Sequence, residues 1–160
     1  MKVDLFAVGK MKAGPERELV QRYAERFKLI GKGLGLDGLR FVELSESPAR
    51  RDDDRKSEEA LALEGAIPEG YRRVVFDERG TTMESAAFAA SLGRWRAENQ
   101  PGIAFVIGGP DGLAPAFVAR ADLVLAFGKL TIPHQLVRVL VAEQLYRAVT
   151  ILAGHPYHRA

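Results

Sequence analysis

Apolar and polar positions alternate along this chain in blocks, and the period of the blocks changes. Residues 2–8, KVDLFAV, are an almost continuous apolar run broken only at Asp4, the pattern of a buried strand. From Gly14 the period lengthens. Leu19, Tyr23, Phe27 and Ile30 recur at spacings of four, four and three, which puts them on one face of a helix. LRFVEL at 39–44 reads as a second strand, and 47–66 begin as a charged loop and become a helix. RRVVFD at 72–77 is a third strand, apolar and β-branched. Thr81 and Glu84 have the spacing of a capping box, so a helix is expected to start there with Phe88, Leu92 and Trp95 on its inner face. IAFVI at 103–107 and DLVLAF at 122–127 are the fourth and fifth strands, separated by the loop GGPDGLAP and a short helix at 116–121. A long helix over 134–153 follows, with Leu136, Leu140, Val141, Leu145 and Val149 at helical spacing.

Five short apolar strands alternating with helices predict an α/β fold: a mainly parallel sheet of five to six strands with helices on both faces. A chain of 160 residues suits one such domain. Ligands of these sheets bind outside the carboxyl ends of the strands. The loops after Asp77, Ile107 and Phe127 are therefore where a site is expected.

Composition narrows the chemistry. There is no Cys, which excludes a disulfide framework, a thiolate zinc site and a cysteine nucleophile, and fits a cytoplasmic location. No apolar run approaches the roughly 18 residues of a membrane span, and Asp4 interrupts the only candidate for a secretory signal. The formal net charge of +2 permits a nucleic-acid partner without demanding one. Among the basic residues 16 are Arg and 7 are Lys, a bias toward the side chain that grips phosphate with two parallel bonds.

Motifs can then be sorted. GLGLDG at 33–38 matches the dinucleotide fingerprint G-x-G-x-x-G, but it follows a helix and leads into a strand, the reverse of what pyrophosphate binding needs. It reads as a connector. No G-x-x-x-x-G-K-[ST] occurs, so a P-loop is excluded. His155, His158 and His134 lack the Cys or the H-E-x-x-H helix of a zinc site, and no metal is expected. Gly108-Gly109-Pro110-Asp111-Gly112 directly follows a strand, and paired glycines let a backbone approach a ligand closely. Residues 128–134, GKLTIPH, form a second strand-end loop whose apolar character suits a neutral aromatic group such as adenine. Glu143 and Arg147 lie at i,i+4 on the last helix. The last six residues hold two of the three histidines, with Tyr157 and Arg159 beside them.

The runs IGGPDGL (107–113), LTIPHQLVRVLVAEQLYRA (130–148) and HPYHR (155–159), with VDLFAVGK (3–10) and VVFDERG (74–80), resemble the RlmH family. These are SPOUT-class methyltransferases that methylate N3 of a pseudouridine in large-subunit ribosomal RNA. The resemblance implies an α/β-knot fold with a C-terminal trefoil knot, an exception to the usual unknotted topology. It implies S-adenosyl-L-methionine as cofactor, bound by Phe76 and Asp77, by Gly108 and Gly109, and by Gly128, Lys129, Leu130, Thr131, Ile132 and Pro133. It also implies a homodimer with the last helix in its interface, and ribosomal RNA within the assembled ribosome as partner. The tail would fold toward the bound methionine, with Tyr157 on the base and Arg159 on phosphate. His158, or a water it orders, would take the N3 proton; Glu143 is the other candidate for that base, and otherwise orients Arg147 or the tail. Two rivals stand beside this reading. A non-catalytic RNA-binding protein of the same fold would bind RNA without transferring methyl. A nucleotide hydrolase would need more cationic residues near the glycine loop than the sequence places there.

Overall fold

Every apolar run expected as a strand enters one sheet. The computed structural model describes residues 1–159. Its strands are β1 (Lys2–Val8), β2 (Asp37–Leu44), β3 (Arg72–Thr81), β4 (Gly102–Ile107) and β5 (Leu123–Leu125). The helices are α1 (Pro15–Gly31), α2 (Asp52–Ala66), α3 (Ser85–Ala97), α4 (Pro115–Val118) and α5 (His134–Leu152). The strand order is β2-β1-β4-β3-β5, with every pairing parallel. The sheet has five strands among the described residues, the lower end of the expected range.

Side-chain alternation assigns the two faces. Val3, Leu5 and Ala7 of β1 point into a core built with Phe27 of α1, Leu92 of α3 and Leu145 of α5. Phe6 and Val8 point the other way, onto Leu63 of α2 and Phe117 of α4. The sheet is thus covered on both sides, which is why β1 and β4 carry almost no polar residue. Asp4 is the exception in β1. It is buried, and its carboxylate is held by Arg40 of the neighbouring strand at 2.8 Å.

Three boundaries differ from the sequence expectation. The third strand runs on to Thr81, because its last residues keep pairing with β5: Thr81 faces Leu125, and Ala126 N–H donates to Thr81 O at 2.9 Å. A Cβ on Gly80 would stand 2.5 Å from the Leu125 carbonyl carbon, so only glycine allows this crossing. The Thr81–Glu84 capping box consequently does not form. Thr81 belongs to the strand, its hydroxyl donates to Val124 O, and α3 starts at Ser85 with no side-chain cap. The fifth strand is three residues long instead of six, since Ala126 and Phe127 turn away into the loop that follows. The short helix covers Pro115–Val118 and not 116–121. The glycine-rich stretch behaves as a connector: a 3-10 turn over Lys32–Leu34 ends on Gly35 at φ 72, and β2 begins two residues later.

Candidate active site

The carboxyl ends of β3, β4 and β5 open into one groove of about 560 Å³, within the size range of small-molecule sites. Its polar part is lined by Phe76 and Asp77 after β3, by Gly108 and Gly109 after β4, and by Thr131, Ile132 and Pro133 before α5. An apolar slot adjoins it, between Phe76, Gly128, Leu130, Ile132 and Val137. Nine of the ten expected cofactor residues are therefore gathered around one space. Lys129 is exposed and lines neither part.

Local structure explains the composition of these loops. A Cβ on Gly108 would meet the Gly112 carbonyl carbon and Leu113 Cγ at 2.9 Å, so the turn closes only without a side chain. Gly112 sits at φ 82 and donates its N–H to Gly109 O at 3.0 Å, tightening the loop into a hairpin-like turn. Asp111 at the tip accepts two bonds from Arg55 of α2, at 2.7 and 3.0 Å, which ties the loop to the opposite wall. At the other end Phe76 and Phe127 stack with centroids 5.3 Å apart and planes 7° from parallel.

Asp77 at the mouth is paired with Arg79. Burial pushes its carboxyl up, but bonds from the Arg79 guanidinium and the Arg79 N–H outweigh burial and hold it below the usual aspartate range. It is thus an anion at neutral pH. His134, the last residue of the 128–134 loop and the first of α5, also lines the groove, as do Glu78, Arg79 and Lys56, which the sequence did not single out for it. Lys56 reaches it from the second turn of α2, a placement visible only once the helix is docked on the sheet.

The apolar slot is flanked by loop backbone and continuous with a mouth of mixed charge, where Asp77, Glu78 and Asp111 stand with Arg79 and Lys56. No group of His, Asp and Glu among the described residues could hold a metal ion. Among the described residues no helix is long and apolar enough to cross a membrane.

The tail forms a second cluster. Tyr157 Oη donates to Glu143 Oε1 at 3.0 Å, and the same oxygen accepts from Arg147 Nε and Nη2 at 3.0 and 2.5 Å. Arg147 Nη1 lies 3.3 Å from His158 Nδ1, and the guanidinium stands 4.9 Å from the Tyr157 ring centre. Tyr157 also packs on Tyr146, at 4.6 Å between centroids. Burial, reinforced by Glu143, pushes the Tyr157 phenol far above its ordinary value, so it stays a donor. His155 Nδ1 accepts the Tyr157 N–H, and Arg159 is exposed. The pairing of Glu143 with Arg147 is therefore no isolated surface ion pair, since the tail covers it.

Groove and tail cluster do not meet within one chain. Glu143, Arg147, Tyr157 and His158 line no part of the groove. His134 at the groove and Arg147 under the tail are separated along α5 by roughly 20 Å of helix.

Comparison with known proteins bears on both clusters. A family described as predicted SPOUT methyltransferase matches residues 1–158. A Rhodopseudomonas palustris (strain HaA2) protein named Ribosomal RNA large subunit methyltransferase H is 57% identical over 160 residues, covering 100% of both chains. A protein of the same name from Rhizobium meliloti (strain 1021) is 55% identical, again over the whole of both. Among solved structures, a probable methylase family protein from Haemophilus influenzae Rd KW20 superposes with a TM-score of 0.54 at 12% identity, covering 99% of this chain and 70% of that one. That likeness concerns the fold.

Proposed function

The chain belongs to the SPOUT methyltransferase family, and from that premise we propose that it methylates N3 of a pseudouridine in large-subunit ribosomal RNA, using S-adenosyl-L-methionine. The observation that carries the reading is the convergence of residues 76–77, 108–109, 128 and 130–133 on one groove with an apolar slot and a charged mouth. Full-length relatives named for methyl transfer to large-subunit ribosomal RNA support the substrate class. The intact groove weighs against a merely RNA-binding protein of this fold.

When bound, the cofactor supplies a methyl group already activated by its sulfonium. The chain's own residues then have three tasks. Backbone groups of 128–133, with Leu130, Ile132 and Phe76 as apolar walls, hold the purine. Asp77 offers negative charge to the cationic end. The tail residues Tyr157, His158 and Arg159 receive the RNA base and its phosphate, and Glu143 with Arg147 keeps them in place, so that alignment supplies much of the rate.

The tail residues line no part of the groove of their own chain, and we infer that the complete site is assembled by two copies, the tail of one serving the groove of the other. Exposed apolar residues support such a homodimer: Leu136 and Leu140 on α5 are 44% and 36% exposed, and Leu130 beside the slot is 85% exposed. We infer in addition the C-terminal trefoil knot. A site built from two copies is suited to a preformed surface, the assembled ribosome in the cytoplasm.

The test is calorimetric titration with S-adenosyl-L-methionine of the full chain and of a variant ending at Gly154, with methylation of ribosomes measured for both. Binding by both and methylation by the full chain alone is expected. Absence of binding and of methylation by the full chain would overturn the reading.

A further inference from the structure

We propose that Arg147 fixes the tautomer of His158, so that His158 enters the transfer step as an Nε2–H hydrogen-bond donor and not as the base that removes the N3 proton. The inference rests on the role of the tail given above and assigns its chemistry.

His158 Nδ1 lies 3.3 Å from Arg147 Nη1. A guanidinium carries five N–H donors, has no acceptor and does not lose its proton in a protein. Nδ1 is therefore the acceptor of this contact and carries no hydrogen. The single hydrogen of a neutral imidazole then sits on Nε2. The nitrogen with the lone pair is already engaged, and the nitrogen that remains available can only donate.

Arg147 cannot readily turn away from this contact. Two of its nitrogens are bound to Glu143 Oε1, at 3.0 and 2.5 Å, and its face lies over the Tyr157 ring. Glu143 is fixed in turn by the Tyr157 hydroxyl and by Gln144 Nε2 on its second oxygen, at 2.8 Å. The side chains of Glu143 and Arg147 are only 15% and 25% exposed. Glu143 and Tyr157 directly, and Gln144 through Glu143, thus determine one orientation of the guanidinium, and the guanidinium determines which ring nitrogen of His158 bears hydrogen. Arg147 is a positioning residue and His158 the catalytic one.

A donor suits the reaction. N3 of a uracil-type base lies between two carbonyl groups, and loss of its proton spreads negative charge onto both oxygens. An N–H aimed at one of those oxygens stabilises that charge as it develops. The bonds balance without a protein base. N3 forms its bond to the methyl carbon, the carbon–sulfur bond breaks with its electron pair left on sulfur, the N3 proton passes to water, and His158 keeps its own.

Two measurements test this. The first is long-range ¹H–¹⁵N correlation spectroscopy on protein labelled at histidine, which has only three such residues to resolve. The wild type is expected to show His158 with hydrogen on Nε2 and none on Nδ1. Arg147→Met, which removes every donor, is expected to show a mixture of tautomers. Hydrogen on Nδ1 in the wild type, or the same spectrum in folded Arg147→Met and wild type, overturns the proposal. The second is single-turnover methylation of ribosomes by His158→Gln and His158→Ala. Glutamine presents an amide N–H near the position of Nε2 and cannot take up a proton. His158→Gln is expected within about tenfold of wild type and His158→Ala about 100-fold below it. A glutamine variant as slow as the alanine variant overturns the donor role, since losing a general base costs about 10²–10⁴ in either case. A wild type that methylates nothing would refute the reaction assigned above, while the spectrum would still decide the tautomer.

Discussion

The Phe76 and Phe127 rings lie face to face, 5.3 Å between centroids and 7° from parallel, and so join the end of β3 to the loop after β5 across the edge of the apolar slot. Phe127 is 38% exposed, more than an aromatic needs to be for stability alone. Its replacement by Ala removes one side of the stack and one wall of the slot. A loss of about 1 kcal/mol in stability is expected from the missing ring contact, with roughly tenfold weaker cofactor binding. Denaturant midpoints and calorimetry separate the two effects. Unchanged affinity would mean that the slot does not receive the purine.

Gly108 offers a sharper test of the glycine turn. A methyl group there would stand 2.9 Å from both Gly112 C and Leu113 Cγ, neither of which can move without opening the loop. Gly108→Ala should cost about 1–3 kcal/mol, the range of overpacking in a filled site, and weaken cofactor binding more than Phe127→Ala does. At Gly112 no atom lies within 4 Å, but φ is 82, so an alanine there is strained by its backbone alone. Thermal unfolding of the two variants should rank Gly108→Ala as the more damaging.

Much of this was legible before any coordinates. The five strands were marked by apolar runs, and the site by the rule that ligands sit at their carboxyl ends. The loops after Asp77, Ile107 and Phe127 follow from that rule, while Phe76 and Ile132 were named as cofactor residues by the family resemblance. Thr81 was misread because a capping box and a strand end share the same local residues, and pairing with Leu125 across a gap of 44 positions decided between them. Lys56 carries no such mark, since a helix shows nothing in sequence of which loop it will face. The threading of the chain end is a global property, and only the family resemblance suggested it.

Glu143 holds the tail through charge as well as shape. Glu143→Ala leaves the Arg147 guanidinium without its carboxylate and the Tyr157 hydroxyl without an acceptor, at an expected cost of about 2 kcal/mol. Tyr157→Phe removes only the hydroxyl bond, an expected loss of about 1 kcal/mol confined to the tail. Hydrogen exchange should show faster exchange at the Tyr157 N–H in both variants, while the amides of β1 and β4 change only in the alanine variant. Equal exchange at Tyr157 in all three proteins would place the strength of the docked tail in ring packing alone.

Two carboxylates of α2 should respond to pH in opposite directions. Glu64 is bonded to the Arg73 guanidinium at 2.9 and 2.7 Å and to Arg120, and these partners hold its carboxyl below the usual glutamate range. Its stabilising contribution is complete above the unfolded-state value of about 4.3 and is lost as pH falls through the lower folded-state value. Glu64→Gln should therefore cost about 1 kcal/mol near neutral pH, and the difference from wild type should shrink toward pH ~3. Glu59 is only 4% exposed and accepts the Ser47 N–H at 3.0 Å; burial pushes its carboxyl up. Its favourable contribution is complete below the unfolded-state value and fades as pH rises through the higher folded-state value. At neutral pH an ionised Glu59 works against the fold. Glu59→Gln keeps an acceptor for Ser47 and removes the charge, so it should stabilise the protein at neutral pH and lose that advantage below pH ~4. Urea midpoints for the wild type and both variants across this range give the two slopes. Parallel curves for Glu59→Gln and wild type would show that the Glu59 carboxyl titrates alike in the folded and unfolded chains.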